Sequence, residues 1–484
     1  MKNNKFPYIP KEKRKKILLI CDDIRVHSGV ATVAKEIVME TAHHFNWAQI
    51  AGAIKHPEAG KRVDLSQDTN KIAGIKDSFV VQYPSNGYGT SQLVRQIISI
   101  EKPDAIMLVT DPRYFRHIWD MENEIRTKIP ITYLNIWDDY PAPAYNKPYY
   151  EACDLLMGIS KQTVNINKLV LDNVDNSNRL FRYVPHGLNP DVYFPINEDY
   201  KRYNEYLQFK VKLLGHVEPK FVAFFNSRNI RRKQIPDMML AFRCFLDTLP
   251  KEEAEKSFLV LHTEISAEQG TDLMRIKEYF FGENYPNNVI FSVQKLSGEQ
   301  LNYLYNIADV QMLLTSNEGW GLTTTEAILA GTPIISNVTG GMQDQMRFVD
   351  ENGEWFTPSA DIPSNHRGTY KEHGEWAFPV YPTSRSIQGS PPTPYIFDDR
   401  CAWEDVVERL KEVYKLGRKK RKELGLKGRE WAISDEAGFT SKHQAYRVMD
   451  AFDELFKMWK PRPKFELINA NESKAEYLKH KLYY

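Results

Sequence analysis

The stretch "TSNEGWGLTTTEAILAGTP", Thr315 to Pro333, places Glu318 and Glu326 on either side of a glycine-bearing turn, with seven residues between them. The preceding "ADVQMLLTS" is a short apolar run, and "LTTTEAILAG" has a helix start and a glycine stop, so the pattern predicts a strand that runs into a helix. The start of such a helix attracts anions, because its N–H groups are free and its dipole end is positive. Two carboxylates would repel an anion, so their presence here needs an explanation.

The sequence leaves two interpretations of Glu326 open. Thr323 to Glu326 fits a capping box, in which Glu326 closes the first helical turn and Glu318 is a solvated loop acid. Alternatively, Glu326 points back toward the strand end and binds a ligand, because helical side chains tilt toward the N-terminus. Short motifs match by chance, so the stretch alone favours capping, and the rest of the chain has to decide.

Bulk composition predicts two large domains and no global electrostatic partner. The chain has 484 residues, of which 42% are apolar and 12% aromatic, enough for more than one core. Its 64 basic and 63 acidic residues give a net charge of +1, so no overall field points to nucleic acid or membrane. The four cysteines have no paired spacing, which argues against a zinc site or a disulfide framework. Without a signal-peptide core or a membrane-spanning run, we expect a soluble, cytoplasmic protein with no transmembrane segment.

Apolar strand-like runs alternate with amphipathic stretches in two separate series. The first contains "KILLICDD", "DAIMLVT" and "PITYLNI", and the second contains "KFVAFFNSR", "SFLVLHTE" and "DVQMLLTS". Such alternation is typical of parallel sheets with helices on both faces, so the pattern predicts an α/β chain with two doubly wound, Rossmann-like domains and a cleft between them.

We place the domain boundaries from shifts in composition. The predicted segments are a basic arm at 1–14, an N-terminal domain at 15–195, a connection at 196–219, a C-terminal domain at 220–435, a helix at 436–460 that packs back on the N-terminal domain, and a tail at 461–484. Residues 358–399 carry seven prolines but several aromatic residues, which indicates an ordered, irregular insertion that covers the cleft or selects an acceptor, with Trp376 and Arg385 as candidates.

Several motifs in order resemble those of retaining glycosyltransferases of the family 4 type, which have the GT-B fold of two Rossmann-like domains facing a central cleft. "EGWGLTTTEAILAGTPIISNVTGG" is similar to the family's pattern of two glutamates separated by seven residues and followed by a glycine pair. "ISKQT", "VPHGLN", "NSRNIRRKQIPDMMLAF" and "LSGEQLNYLYNIADVQMLLTS" come before it in the family's order. The resemblance covers residues 15–460, roughly, and implies a nucleotide-sugar donor, with UDP-sugar favoured over GDP-sugar.

The resemblance implies roles for residues in the C-terminal domain. Arg228 and Lys233 resemble the family's diphosphate-binding pair, whose positive charge also stabilises the leaving group; the alternative is a solvated turn together with Arg231 and Arg232. Glu326 is expected on the ribose hydroxyls, and Glu318 on the donor sugar and its developing positive charge. The expected donor-binding residues are Gly29, Arg228, Lys233, Glu318, Gly319, Trp320, Gly321, Leu322, Thr323 and Glu326.

Two positions match the family less closely. Gly29 resembles the N-terminal glycine loop of the family, but a plain tight turn explains a single glycine equally well. Gly340, Gly341 and Asp344 resemble the loop after the next strand, where the family more often has glutamate at the position of Asp344.

The acceptor side departs most from the family. The usual histidine after "PITYLNI" is missing, and Asp138 is the substitute that we predict as a catalytic residue, with a loop or cap acid as the alternative. The expected acceptor-binding residues are Asp111, Arg113, Trp137, Asp139 and Tyr140. No metal-ligand cluster is evident, so we expect catalysis without an obligatory metal or other cofactor.

The acceptor itself stays open at the level of sequence. A saccharide or a lipid-linked sugar is the default, and a modified DNA base is the alternative, because the chain has two basic runs, "KEKRKK" and "KLGRKKRKELGLKGREW". The second run is also typical of a solvated helix. A GT-B protein that binds a nucleotide sugar without transferring it, or an epimerase, is the remaining alternative.

Overall fold

The computed structural model describes residues 6–53, 55–361 and 365–465, which form two compact units. The first unit comprises the described residues of Met1–Gly187, Pro358–Pro363 and Ser441–Tyr484, and the second unit those of Leu188–Thr357 and Ser364–Thr440. Most of the predicted tail, from residue 466 onward, lies outside the described residues, as do residues 1–5 of the predicted arm and residues 362–364 of the predicted insertion.

The first unit is built on an eight-stranded sheet with the order β3-β4-β2-β1-β5-β6-β7-β8. Neighbouring strands pair in parallel except β3, which is antiparallel to β4. The apolar runs seen in the sequence form its buried strands. In chain order the strands are β1 (Lys15–Asp22), β2 (Phe45–Ala53), β3 (Val63–Asp64), β4 (Val80–Asn86), β5 (Ala105–Val109), β6 (Ile131–Asn135), β7 (Leu155–Gly158) and β8 (Leu180–Tyr183).

Several helices of the first unit begin where a hydroxyl caps the chain. The side chains of Ser28, Thr90 and Ser160 each accept a hydrogen bond from the backbone N–H three residues later. The helices are α1 (Gly29–Thr41), α2 (Ser66–Ala73), α3 (Ser91–Glu101), α4 (Arg116–Trp119), α5 (Glu122–Ile125), α6 (Lys147–Glu151), α7 (Lys161–Val170) and, near the C-terminus, α17 (Ser441–Met458). Helix α17 packs on α1, and His44 Nε2 lies 3.1 Å from the Asp453 carboxylate.

The second unit has a six-stranded parallel sheet and a separate hairpin. The sheet order is β11-β10-β9-β12-β13-β14, and β15 pairs antiparallel with β16. Numbered within the unit, this is the order 3-2-1-4-5-6 of a doubly wound dinucleotide-binding sheet. The strands are β9 (Phe221–Asn226), β10 (Ser257–His262), β11 (Val289–Phe291), β12 (Val310–Leu313), β13 (Ile334–Asn337), β14 (Ala377–Val380), β15 (Ser384–Ser390) and β16 (Thr393–Arg400).

Helices accompany this sheet along its length. They are α8 (Tyr203–Leu214), α9 (Ile235–Asp247), α10 (Lys251–Ala254), α11 (Leu273–Phe281), α12 (Gly298–Ile307), α13 (Leu322–Leu329), α14 (Met342–Met346), α15 (Trp403–Lys415) and α16 (Gly417–Ile433). The segment that the sequence presents as a connection, 196–219, contains α8 and belongs to the second unit. Within the part of the chain that the structure describes, no helix is both long and apolar enough to cross a membrane.

The region predicted as an irregular insertion, 358–399, is more regular than the sequence indicated. Ala377–Val380 is the edge strand β14 of the main sheet, and most of the β15–β16 hairpin follows within the same region. Trp376 is buried, and its ring stacks on Trp431 at a centroid distance of 4.9 Å. The prolines concealed these strands, because proline breaks the usual strand pattern.

The close contact between α16 and the end of α13 yields a stability prediction. A Cβ atom on Gly425 would lie 1.9 Å from the carbonyl oxygen of Gly331, so α16 could not keep its position. We expect Gly425→Ala to lower the free energy of unfolding of the second unit by about 1–3 kcal/mol. Lys422→Ala, on the exposed side of the same helix, is the control and should change it by less than about 0.5 kcal/mol. Urea unfolding followed by tryptophan fluorescence measures both, and equal midpoints for the two variants would contradict the prediction.

Candidate functional site

The site lies at the point of the second unit where the strand order reverses. Strands β9 and β12 are neighbours there, with Val310 opposite Ala223 and Gln311 opposite Phe224. The chain leaves β9 toward one side of the sheet and β12 toward the other, and ligands of open α/β sheets bind in the crevice that this creates at the carboxyl ends of the strands. The loops after β9 and β12 therefore supply the candidate site residues.

Glu318, in the loop after β12, forms an ion cluster with two cations from the loop after β9. Arg232 Nη1 lies 2.7 Å from Glu318 Oε2, and Lys233 Nζ forms an ion pair with the same oxygen. Arg232 also donates a hydrogen bond of 2.6 Å to the carbonyl of Asn317. The side chains of Lys233 and Glu318 are only 8% and 12% exposed, so water screens this cluster weakly.

The charge state of Glu318 follows from this cluster. Burial by itself raises the pKa of a carboxyl, but the positive charges of Arg232 and Lys233 outweigh the burial and hold the pKa of Glu318 well below its ordinary value. The side chain is therefore ionised at neutral pH, and together with its two cations it leaves one net positive charge.

Glu326 has a different environment, made of neutral donors. Its Oε2 accepts hydrogen bonds from Tyr305 Oη at 2.5 Å and from Asn226 Nδ2 at 3.3 Å, and its Oε1 accepts one from Tyr193 Oη at 3.2 Å. Burial raises the pKa of Glu326, and the hydrogen bonds from these three residues oppose that rise only in part. Burial, followed by the charge of Glu326, raises the pKa of Tyr305 well above its usual range, so the phenol stays a donor.

The capping interpretation of Glu326 is wrong. Helix α13 begins at Leu322 with Gly321 as its N-cap, and no side chain of the described residues caps it. Glu326 is the fifth helical residue, two residues past the position that closes a capping box, and its carboxylate is held by Tyr305, Asn226 and Tyr193.

The turn between the two glutamates depends on close backbone contacts. Gly321 has φ of +85°, a left-handed conformation that favours glycine. A Cβ on Gly341, in the loop after β13, would lie 2.4 Å from the carbonyl oxygen of Gly319, and the Gly341 N–H donates to the Glu318 carbonyl at 3.1 Å. Gln345 Nε2 donates to the carbonyl of Trp320 at 2.6 Å. The loops after β12 and β13 are thereby held as one surface.

The other residues predicted for this turn and the next loop differ in how exposed they are. The indole of Trp320 is buried and donates to Thr325 Oγ1 at 2.9 Å, so any contact of Trp320 with a ligand would come from its backbone. Leu322 and Thr323, the first two residues of α13, are partly exposed. Asp344 is buried on α14, and its role stays a prediction.

The structure adds Arg232 to the predicted Arg228–Lys233 pair. Lys233 reaches Glu318 as part of the site, but the second cation on that carboxylate is Arg232. The alternative that Arg232 belongs to a merely solvated turn is therefore wrong. Arg228 is exposed in the loop after β9, and its contact with a diphosphate stays a prediction.

The β15–β16 hairpin is anchored on the loops of this site. Buried Asp398 accepts hydrogen bonds from Ser316 Oγ and Asn317 Nδ2, each at 3.0 Å. Asp399, also buried, pairs with Arg385 Nε at 2.8 Å and accepts from Thr339 Oγ1 at 3.1 Å. Arg385, proposed as an acceptor contact, is thus an internal anchor of the hairpin.

In the first unit, three of the predicted residues lie in segments that follow parallel strands. Gly29 is the first residue of α1, next to the capping Ser28. Asp111 and Arg113 follow β5 and bind each other, with Arg113 Nε 2.7 Å from Asp111 Oδ1. A ligand would have to compete with this ion pair.

The predicted aromatic acceptor surface is not supported by the structure. Trp137 is 7% exposed, and Tyr140 and Asp139 are fully buried. Trp137 Nε1 donates to the Asp139 carbonyl at 2.8 Å, and Tyr140 Oη accepts from Asn165 Nδ2 at 2.6 Å. These groups pack within the first unit. Asp138 is partly exposed, and its catalytic role stays a prediction.

Sequence reasoning missed four residues of the site: Arg232, Tyr193, Tyr305 and Asn226. Asn226 ends β9 and therefore lies at the switch point once the strand order is known. Tyr305 lies in "NYLYNIA" at the end of an amphipathic helix. The spacing of the apolar residues there predicts that Tyr305 packs in the core and gives no sign of a role in the site. Tyr193 precedes α8 and carried no signal in the sequence.

The comparison with protein families matches the region of the chain that contains this candidate site. Residues 209–364 match the family model described as Glycosyl transferases group 1. The matched region contains both glutamates and both cations of the cluster. The chain therefore carries a group 1 glycosyltransferase domain, and the resemblance to family 4 is confirmed.

Individual relatives are distant. The chain is 26% identical over 121 residues to an uncharacterized glycosyltransferase of Methanocaldococcus jannaschii, a match that covers 25% of this chain and 29% of that relative's length. A sucrose-phosphate synthase from Thermosynechococcus elongatus has a TM-score of 0.63 at 15% identity, covering 92% of this chain and all of that one. Anabaena HepE in complex with UDP-glucose has a TM-score of 0.59 at 13% identity, covering 90% of this chain and 99% of that one. At these identities the likeness shows the fold, and it confirms the predicted α/β, GT-B class.

The ion cluster predicts an acid-sensitive contribution of Glu318 to stability. Because its pKa is lower in the folded chain than the ordinary 4.5, the contribution is complete above pH 4.5 and is lost as the pH falls through the folded value. Glu318→Gln leaves two cations without their carboxylate, so we expect a loss of about 3–5 kcal/mol in the free energy of unfolding at pH 7. The difference between wild type and variant should shrink toward acid pH in urea titrations.

The contribution of Glu326 to stability should depend on pH in the opposite direction from that of Glu318. Its folded pKa is raised above 4.5, so its contribution is present below pH 4.5 and is lost as the pH rises through the folded value. The cost of Glu326→Gln should therefore be largest at acid pH and smaller at pH 7. The assigned charge environments are refuted if the two variants show pH slopes of the same sign.

Proposed function

We propose that the chain is a retaining glycosyltransferase that moves a sugar from a nucleotide-sugar donor to an acceptor hydroxyl. One observation carries the proposal. Two cations and two carboxylates with opposite electrostatic environments meet at the switch point of a doubly wound sheet, within a group 1 glycosyltransferase domain. A nucleotide sugar is itself part anion and part polyol, so it needs both kinds of partner.

Each part of the donor has a matching group in the second unit. We assign the diphosphate to Lys233, Arg232 and the exposed Arg228, because fixed cations bind phosphate oxygens strongly. We assign the ribose hydroxyls to Glu326, whose carboxylate oxygens are acceptors. Glu318 is assigned to the donor sugar, where its negative charge stabilises the positive charge that develops at the anomeric carbon.

The proposed chemistry balances without a further reactant. The bond between the anomeric carbon and the diphosphate oxygen breaks, and its electron pair leaves with the nucleoside diphosphate. The acceptor oxygen forms the new bond on the same face of the sugar, and its proton passes to the leaving phosphate. Arg232 and Lys233 lower the barrier because they stabilise the charge that appears on the leaving group.

A uridine nucleotide is the first choice for the donor. Anabaena HepE, which shares the fold, was solved with UDP-glucose, and this supports testing UDP-sugars first. GDP-sugars are the second choice.

A saccharide, free or lipid-linked, is the proposed acceptor class. Residues 386–397 of the hairpin anchored on the site include hydroxyl and amide side chains but no charged one, which suits a neutral polyol better than a phosphate backbone. The basic run of α16 presents less positive charge to a nucleic acid than its sequence implies, because Arg421 is buried and pairs with Asp309 at 2.8 Å. Transfer to a modified DNA base is therefore an outcome of the test and not the proposal.

A donor panel tests the proposed activity. The purified chain is incubated with UDP- and GDP-sugars and a pool of saccharides, lipid-linked sugars and modified DNA, and nucleotide release and glycosylated products are read by mass spectrometry. We expect release with a UDP-sugar that depends on acceptor, and a product with the anomeric configuration of the donor by NMR. Release without transfer would indicate a hydrolase, an interconverted donor sugar would indicate an epimerase, and inversion would refute the retaining mechanism.

Variants connect that activity to the site. Glu326→Gln and Lys233→Met should each lower kcat/KM by a factor of 100, roughly, because each removes a charge-assisted contact to the donor of about 2–3 kcal/mol. Glu423→Gln is the control, because Glu423 is an exposed residue of α16 that pairs with Lys420. Asp138→Asn tests the predicted acid of the first unit. Unchanged donor affinity in Glu326→Gln would refute the ribose assignment.

A further inference from the structure

The three hydrogen-bond donors around Glu326 are not equivalent. Tyr305 at the end of α12 binds Oε2 at 2.5 Å, Asn226 at the end of β9 binds the same oxygen at 3.3 Å, and Tyr193 binds Oε1 at 3.2 Å. Hydroxyl hydrogen bonds are usually 2.5–3.0 Å long, so the Tyr305 bond is short and the Tyr193 bond is long.

Counting acceptor positions shows what remains for a ligand. A carboxylate offers about two acceptor positions on each oxygen. Tyr305 and Asn226 occupy both positions of Oε2, and Tyr193 occupies one of the two positions of Oε1. A ribose with hydroxyls at C2′ and C3′ needs two acceptor positions, so Oε1 can receive both hydroxyls only after the Tyr193 bond breaks.

The two tyrosines also differ in how firmly they are held. Tyr305 is fully buried, and its ring packs edge-to-face on Phe224 at a centroid distance of 5.0 Å. Its carbonyl accepts a hydrogen bond of 2.7 Å from Thr332 Oγ1. Tyr193 is only partly buried and lies in a segment outside helices and strands. Its ring packs edge-to-face on Tyr305 at a centroid distance of 6.1 Å, and its carbonyl accepts a hydrogen bond of 2.8 Å from Arg429, so the side chain of Tyr193 is held but less enclosed than that of Tyr305.

We propose that Tyr305 and Asn226 are positioning residues that fix Glu326 for the donor ribose, whereas Tyr193 competes with the ribose for Oε1. This inference rests on the proposed function, because it takes the ribose as the ligand of Glu326. It gives two tyrosines on one carboxylate opposite effects. Tyr305 raises nucleotide affinity by holding the carboxylate, and Tyr193 lowers it by occupying the acceptor position that the ribose needs.

Paired conservative variants test the proposal. Tyr305→Phe and Tyr193→Phe each remove one hydroxyl and keep the ring. Tyr303→Phe is the matched control, because Tyr303 lies on the same helix and its hydroxyl binds Glu299 instead. Calorimetry at pH 7 measures the Kd of UDP and of 2′-deoxy-UDP, with GDP and 2′-deoxy-GDP as the second pair, and the melting temperature of each variant is recorded alongside.

The expected shifts have opposite signs. Tyr193→Phe should bind UDP more tightly by about threefold to tenfold, the size of one hydrogen bond of about 1 kcal/mol. Tyr305→Phe should bind UDP more weakly by a similar factor, and its preference for UDP over 2′-deoxy-UDP should fall toward one. Tyr303→Phe should match wild type. In turnover assays, the donor KM should follow these shifts while kcat changes little.

The outcomes separate this inference from the proposed function. If wild type binds neither UDP nor GDP, the ribose assignment and this inference fall together. If wild type binds one of them but the two variants shift in the same direction, or neither shifts, only the inference is overturned. A purely structural role of Tyr305 would lower the melting temperature and leave the 2′-deoxy preference unchanged. If Tyr305→Phe does not fold, the UDP affinity of Tyr193→Phe still tests the inference. Weaker or unchanged UDP binding by Tyr193→Phe would refute the competition between Tyr193 and the ribose.

Discussion

The ion cluster of Glu318 with Arg232 and Lys233 is the contact on which the site depends. It joins the loops after β9 and β12, whose residues are 85 positions apart in the chain, and it exists because these strands are neighbours in the sheet. Removing a carboxylate and two cations from water costs free energy. Their mutual attraction offsets that cost, so the loss of one charge would destabilise the other two. The cluster therefore holds both loops at the carboxyl edge and keeps a net positive charge there.

The carboxylate of Glu326 lies in an environment that shifts its pKa in the opposite direction from that of Glu318. Glu326 meets hydroxyls and an amide, so burial raises its pKa, whereas cations lower the pKa of Glu318. The turn that follows Glu318 needs Gly321 in a left-handed conformation and Gly341 in close backbone contact. Two identical side chains thus acquire different chemistry from their surroundings, which suits a ligand that is part anion and part polyol.

The region after β13, which contains β14 and the β15–β16 hairpin, packs against the loops after β12 and β13. The sequence presented it as an insertion, yet it contributes the edge strand β14 and a hairpin whose Asp398 and Asp399 are buried against the loops after β12 and β13. Buried carboxylates need full hydrogen bonding, and Ser316, Asn317 and Thr339 from these loops donate to them alongside Arg385 and Asn365. The hairpin is therefore a fixed part of the site's surroundings.

Local pattern was enough for the fold class, because strand and helix periodicity, glycine stops and motif order are properties of neighbouring residues. The sequence by itself determined the two α/β units, the candidate glutamates and Lys233. It could not distinguish Arg232 from Arg228, which lie four residues apart in one basic loop, and it left open a capping role of Glu326 that the structure does not show. Only the tertiary structure decided these points, because they depend on which side chains the strand order 3-2-1-4-5-6 brings together. Tyr193, Tyr305 and Asn226 meet at one carboxylate for the same reason, although they are far apart in the chain.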